Sequence, residues 1–230
     1  MKELLGNSVF FGVMISILAY EFGVFLKKKT RLAICNPLLV AVAAVMVLLA
    51  FLKIEYETYK EGADLLSYLL TPATVCLAVP LYEQMSLLKS NVKAIMAGIL
   101  SGVLTSLLSI LLMGMLFGID HELYVTLLPK SITTAIGMGV SEELGGIVTI
   151  TVAVIIITGI IGNVIGEQVC SLFRIQEPIA KGIAMGTSAH AIGTARAMEM
   201  GEVEGAMSSL SIAVAGLLTV VGASVFAQFL

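Results

Sequence analysis

Residues 186–197, GTSAHAIGTARA, place a histidine, an arginine, three hydroxyls and two glycines within twelve positions. Residues 129–134, PKSITT, set a lysine beside three more hydroxyls. An ammonium among hydroxyls and free backbone N–H groups at a helix start suits a small carboxylate. A guanidinium grips a carboxylate with a planar fork, and an imidazole exchanges a proton near neutral pH. Lys130, Ser131, Thr133, Thr134, Ser188, His190, Thr194 and Arg196 are therefore the candidate substrate site: an organic anion held by the cations, its movement coupled to a proton. If 188–197 is helical, positions 190, 194 and 197 share one face. The plainer readings are a helix end at the membrane interface for Lys130, an interhelix hydrogen bond for His190, and a salt bridge to Glu199 or Glu202 for Arg196.

A second group could bind a coupling ion. Thr71, Pro72 and Thr74 break an apolar segment, and a Thr–Pro break frees carbonyls able to coordinate a cation such as Na⁺. Glu202 and Glu204 open the last helix, where they either suit the helix dipole or form a gate or proton site. Two histidines in the chain are too few for a metal site, and none is expected. No cofactor is expected beyond H⁺ or Na⁺ as coupling ion. The three cysteines lack metal spacing and read as core packing. Walker, nucleophile-elbow and HExxH motifs are absent, so no enzyme activity is expected.

The setting gives these residues their weight. The chain has 230 residues, 58% hydrophobic and 13% charged, where soluble domains carry about 25% charged residues. Mean hydropathy is +1.03. This is the composition of a polytopic all-α membrane protein, here read as one integral domain, 1–230. A net charge of −3 argues against nucleic acid. The lipid bilayer is the first partner. The N-terminal apolar stretch has no small-residue cleavage site after it and reads as a retained helix.

A spanning helix needs about 20 apolar residues. Six spans are expected, at about 5–26, 32–52, 65–82, 94–117, 145–166 and 205–230. The third contains Pro72 and Pro80 and is expected to be kinked or discontinuous. Segments 123–141 and 178–199 are too polar or broken for simple spans and read as re-entrant or broken helices. The positive-inside rule places Lys27, Lys28, Lys29, Arg31, Lys89 and Lys93 in the cytoplasm. It puts Glu55, Glu57, Glu61, Asp64, Asp120 and Glu122 outside. A re-entrant 123–141 keeps Glu142 and Glu143 outside, with Arg174 and Lys181 inside. Polar starts at Thr71, Lys130 and Thr187 each precede a glutamate by twelve residues (Glu83, Glu142, Glu199). This hints at an internal repeat, and broken helices from two repeats meeting near the midplane are a common carrier architecture.

Four stretches carry a family resemblance: LLTPATVCLAVPLY at 69–82, PKSITTAIGM at 129–138, GTSAHAIGTARAMEM at 186–200 and EGAMSSLSIAVAG at 204–216. In this order they resemble the LrgB/CidB family, which includes YohK-type bacterial inner-membrane proteins and the plastid glycolate/glycerate transporter. The family usually has proline where this chain has Ala135. The chain is near the bare bacterial length, without a transit peptide or a fused LrgA-like half. The resemblance implies a multi-pass protein of the bacterial plasma membrane and two kinds of function. One is transport of small monocarboxylates such as glycolate, glycerate, pyruvate or lactate. The other is an antiholin- or holin-like role in murein hydrolase export and autolysis, with a small LrgA/CidA-type membrane partner. The polar residues favour the carrier, because a crude hole needs no Lys, His and Arg beside broken helices. A homo-oligomer is expected by analogy with comparable carriers.

Overall fold

The computed structural model describes residues 10–30, 35, 37–76 and 78–230, with the backbone alone at 67, 70, 71, 74 and 81. The described residues form helices and no strand. Lipid leaves a backbone no outside partners, so helices that close their own hydrogen bonds are the stable solution. The protein is an all-α membrane protein. Two compact units divide the chain, Met1–Cys76 and Leu77–Leu230.

The first unit holds α1 (Phe11–Thr30), α2 (Pro37–Leu52), α3 (Tyr56–Ser67) and α4 (Leu70–Cys76). Glycine lets α1 approach its neighbours: a Cβ on Gly12 would strike the α3 backbone, and one on Gly23 would strike Pro37. Ser16 Oγ and Tyr59 Oη add a 2.8 Å hydrogen bond. Lys27, Lys28 and Lys29 lie in the last turn of α1, where cations suit the dipole.

The second unit begins with α5 (Ala78–Glu83). Segment 65–82 is therefore the tail of α3 followed by two short helices. Pro72 and Pro80 each fall in the first turn of one, where no amide donor is needed. Three long helices follow: α6 (Met85–Phe117), α9 (Val148–Leu172) and α11 (Glu202–Phe226). All three are long and apolar enough to cross a membrane, whereas α2 is shorter. α6 starts well before the expected position 94, takes in Lys89 and Lys93, and kinks at Asn91. It buries Ile95, Ile99, Val103, Leu107 and Ile110 along one stripe and exposes Met96, Leu100, Leu104, Leu108 and Leu112 on the other.

Between the long helices lie two helical hairpins. The first is α7 (His121–Leu127), a tip at 128–133, and α8 (Thr134–Glu143). Pro129 supplies the break, and the tip closes with turn bonds Lys130 N–H to Leu127 O and Ile132 N–H to Pro129 O. Its open end is tied by buried hydroxyls. Thr151 Oγ1 donates to Thr126 O at 2.9 Å and lies 2.7 Å from Ser141 Oγ, while Ile147 N–H donates to Thr126 Oγ1.

The second hairpin is α10 (Pro178–Met200), whose helical path breaks at His190, with φ 41° and ψ −138°. The chain doubles back there. Gly193 lies against Met185 O and Ala189 Cβ, although residues eight apart in a straight helix sit about 12 Å apart. The neighbours of α9 show the same reversal. Gly166 meets Met185, Gly162 meets Ala189 and Gly159 meets the His190 ring. Asn163 then meets Ile192, and Glu167 meets Arg196. An entering arm, 178–189, thus runs against α9 and a return arm, 191–200, runs alongside it.

The hairpins enter from opposite ends. The first has Tyr124 bonded to Phe226 O, at the end of α11. The second has Gly182 against Glu204, at its start. The arms of the second hairpin, of twelve and ten residues, are about 15–18 Å long, half of a hydrocarbon core about 30 Å thick; in the first, α7 has seven residues and α8 has ten, about 10 and 15 Å. The tips meet midway: Ser131 Oγ lies 3.1 Å from Ser106 Oγ, and Gly102, one turn away, faces Thr187. Ile155 of α9 touches both, its side chain against Gly137 and its carbonyl 3.0 Å from His190 Nε2. The segments 130–142 and 187–199, whose polar start and glutamate lie twelve positions apart, both occupy a tip with its return arm.

Candidate functional site

A cavity of about 1120 Å³ lies along the second hairpin's entering arm, walled by α6 and α9. On α6 it runs from Asn91 to Ser109, about 27 Å of helix. One end reaches the surface at the exposed Glu177. The other ends where the tips meet, at Lys130, Ser131, Ser106, Thr187 and Ser188.

Lys130 is the anchor of that end. Pro129 stops α7 and leaves the lysine in a turn, half-buried, so its stem cannot follow a helix out to a headgroup. Its Nζ donates to Ser131 Oγ at 3.0 Å and approaches Ser106 Oγ at 3.5 Å. No carboxylate of a described residue lies within ion-pair distance of it. Lys130 and Glu177 are the charged residues of the lining, at opposite ends. The N-terminus of α8, beginning at Thr134, follows the tip and adds the positive end of its dipole. An ammonium, hydroxyls and a helix start are groups whose chemistry suits one small anion.

Several hydroxyls here spend their proton on their own helix. Thr187 Oγ1 donates to Ile183 O, Ser188 Oγ to Ala184 O, and Ser109 Oγ to Ser106 O. They line an apolar span at no desolvation cost and keep lone pairs turned outward.

The structure divides the sequence-derived site. Lys130, Ser131 and Ser188 line the cavity. Thr133 and Thr134 begin α8 outside it. His190 is buried at the tip of its hairpin and serves the fold: its Nε2 sits 3.0 Å from Ile155 O. It shares no helical face with residues 194 and 197, because the chain turns back at it. Thr194 Oγ1 donates to His190 O at 3.0 Å and lies 2.6 Å from Ser208 Oγ, fully buried. Arg196 is held between Glu199, at 2.5 Å, and Glu167 of α9, away from the cavity lining. The expected convergence of Lys130, His190 and Arg196 on one anion does not occur.

Among the ion-site candidates, Glu202 is exposed and Glu204 is buried at the start of α11, neither lining the cavity. Pro72 is exposed in α4, and the side chains of Thr71 and Thr74 lie outside the described residues. The cysteines are free, and Cys170 alone is buried. Ser106 lies outside the sequence-derived site, and Thr187 entered it only as one of the three hydroxyls of 186–197 and as a repeat start. The signal for Ser106 was present: Ser101, Thr105, Ser106 and Ser109 form a polar stripe at helical spacing in an otherwise apolar span.

The Arg196 pairing makes a checkable prediction. Arg196→Ala is expected to cost on the order of 1 kcal/mol of stability and to leave ligand affinity at Lys130 unchanged. Arg196→Glu combined with Glu167→Arg should restore the pairing to α9 but not the one to Glu199, and so recover only part of that loss. Thermal unfolding and ligand titration of the purified variants decide it, and loss of ligand binding in Arg196→Ala would return the residue to the site.

A search of solved structures returns no match. Curated relatives are similar over nearly the whole chain. The antiholin-like protein LrgB of Bacillus mycoides (strain KBAB4) is 36% identical over 222 residues, 96% of either chain. Those of Bacillus cereus (strain B4264) and Bacillus anthracis (strain CDC 684 / NRRL 3495) match to the same extent. The LrgB-like family model matches residues 16–229. That match takes in both hairpins, the cavity they close and most of the first unit, and the chain belongs to the LrgB-like family.

Proposed function

We propose that the protein is a secondary carrier of small monocarboxylates, with Lys130 as the anion anchor. One observation carries this reading: a half-buried ammonium with no carboxylate partner among the described residues, set among hydroxyls where two opposed hairpin tips meet. Broken helices meeting near mid-depth, with half-helix termini turned on a ligand, are a recurrent carrier design. A single cation selects one negative charge, and Ser106, Ser131, Thr187 and Ser188 take the remaining polar atoms of a two- or three-carbon acid. The cavity opens beside Asn91 and Glu177. Lys89, Lys93, Arg174 and Lys181 mark that end as cytoplasmic by the positive-inside rule, so this conformation faces inward. H⁺ or Na⁺ would supply the coupling.

The relatives' name, antiholin-like protein, favours a second reading, an antiholin-like membrane protein; the family resemblance adds regulation of murein hydrolase export with a small LrgA-type partner. The comparisons support this reading more directly than the carrier. The two differ in what crosses the bilayer.

Uptake of labelled glycolate, glycerate, pyruvate and lactate into proteoliposomes of the purified protein separates them. Saturable uptake that responds to a pH or Na⁺ gradient is the expected result. Leakage of large dyes without carboxylate uptake would overturn the carrier and favour the antiholin-like role.

A further inference from the structure

The two hairpins are fastened unequally, and the inequality falls on the arm that walls the cavity. The first hairpin is tied at its open end by Thr126, Ser141, Thr151 and the Ile147 amide. The return arm of the second is bolted to α9 by Asn163 Nδ2 donating to Ile192 O at 2.7 Å and by the Arg196–Glu167 ion pair. It is bolted to α11 by Thr194 and Ser208. The entering arm has no such bolt. Among the described residues, no side chain of 178–189 is hydrogen-bonded or ion-paired outside its own arm.

Its contacts are those of a sliding surface. Gly98 of α6 faces Ile183, and Gly102 faces Thr187. Gly162 and Gly166 of α9 face Ala189 and Met185. Gly182 and Gly186 of the arm itself lie on the α11 backbone at Glu204 and Ser208. Dispersion contacts between smooth surfaces break and re-form in small steps, whereas a buried hydrogen bond must be lost whole before anything moves.

The arm ends at a natural hinge. His190 holds φ at 41°, a conformation that costs a non-glycine residue energy and persists only under outside restraint. That restraint is local: Ile155 O on the ring and Thr194 on the His190 carbonyl. Both hold the hinge and the return arm and leave the entering arm free of them.

We infer that the entering arm, Pro178–Ala189, is the moving gate of the cavity, pivoting at His190 while the return arm and the first hairpin stay fixed. Swinging it shifts Ile179, Ile183, Thr187 and Ser188 against the wall of α6. The hydroxyls at the tip thereby move relative to Lys130. The functional meaning of the gate rests on the carrier reading, but its motion can be measured without transport.

Two disulfide staples to α11 test the consequence. On the entering arm, the Cβ of Gly182→Cys would lie 2.8 Å from that of Met207→Cys. On the return arm, Gly205→Cys would lie 3.5 Å from Met198→Cys. A disulfide spans about 3.8 Å between Cβ atoms; a Cβ at Gly182 also meets the Glu204 carbonyl oxygen at 2.5 Å, so the arm must shift to take it, and uptake by each reduced, folded variant is the reference. In a background lacking Cys35, Cys76 and Cys170, oxidation of the first pair should stop uptake and reduction should restore it. The second pair should leave uptake within about twofold of the reduced protein. Equal inhibition by both staples, or none by the first, would overturn the gate.

Spin labels provide a readout that needs neither staple nor substrate. Exposed Ala180 and Ala195 are each paired with Val221 of α11 in lipid nanodiscs. Pulsed EPR should give a broad or two-peaked distance distribution for Ala180–Val221 and a single narrow one for Ala195–Val221. Narrow distributions for both pairs would overturn the gate whatever the transport assay shows. A broad Ala180–Val221 distribution in a protein that moves no carboxylate would retain the gate and remove the carrier.

Discussion

Lys130→Met is expected to lower affinity for a small carboxylate about 100-fold, the effect of truncating one partner of a desolvated charge pair. Methionine keeps the length and apolar stem of lysine and removes the ammonium. The loss is therefore one of charge and not of packing. The neighbouring Ser131 and Ser106 hydroxyls can bond each other when Nζ is gone, since they already lie 3.1 Å apart. No buried polar group is orphaned and folding should persist. Lys130→Arg retains the charge but brings a planar fork to a site built around a compact ammonium, so an intermediate affinity is expected. Isotope uptake and direct titration of the two variants, with thermal unfolding as the folding control, make the test. Wild-type affinity in Lys130→Met would remove Lys130 as the anchor.

The second large effect is on stability. Gly186→Val is expected to destabilise the fold by about 3 kcal/mol or more, the cost of overpacking a close contact. A Cβ there would meet the carbonyl oxygen of Ser208, with Ser208 Cα at 3.0 Å and Ser211 Cβ at 2.7 Å. Two of these neighbours are backbone and cannot rotate aside. In a chain of this size the loss corresponds to about 10 °C in Tm. Gly139→Ala is the matched control. No atom lies within 4 Å of the added methyl on α8, and alanine favours a helix interior over glycine by up to about 1 kcal/mol. It should be neutral or slightly stabilising. Equal melting temperatures for the two variants would contradict the close approach of α10 and α11.

The two hairpins were not equally legible in the sequence. Pro129 announces the first break, because a proline ring bars the helix from continuing. The second break carries no proline. Its turn falls on His190, a residue that reaches positive φ only under restraint; Ile155, which holds its ring, lies 35 positions away, and Asn163, which holds the start of the return arm, lies 29 positions from Ile192. The polar composition of 186–197 shows that something interrupts the helix, but not that the chain reverses. Arg196 shows a related limit. Glu199, one turn away, was a visible partner, whereas Glu167 comes from another helix. Lys130 was legible because a charge in an apolar bundle needs an explanation. Ser106 was harder to read, because its stripe with Ser101, Thr105 and Ser109 still leaves α6 apolar enough to cross a membrane.

The solitary charge at Lys130 also bears on voltage. Lys130 sits on the first hairpin, which stays fixed while the entering arm moves, so its ammonium does not itself cross the membrane field. The bound carboxylate does, and each elementary charge crossing the full field is worth about 2.3 kcal/mol per 100 mV. Without a coupling cation, an interior-negative potential would therefore oppose uptake of the anion and favour its export. One H⁺ or Na⁺ carried with each anion would make the same step electrically silent.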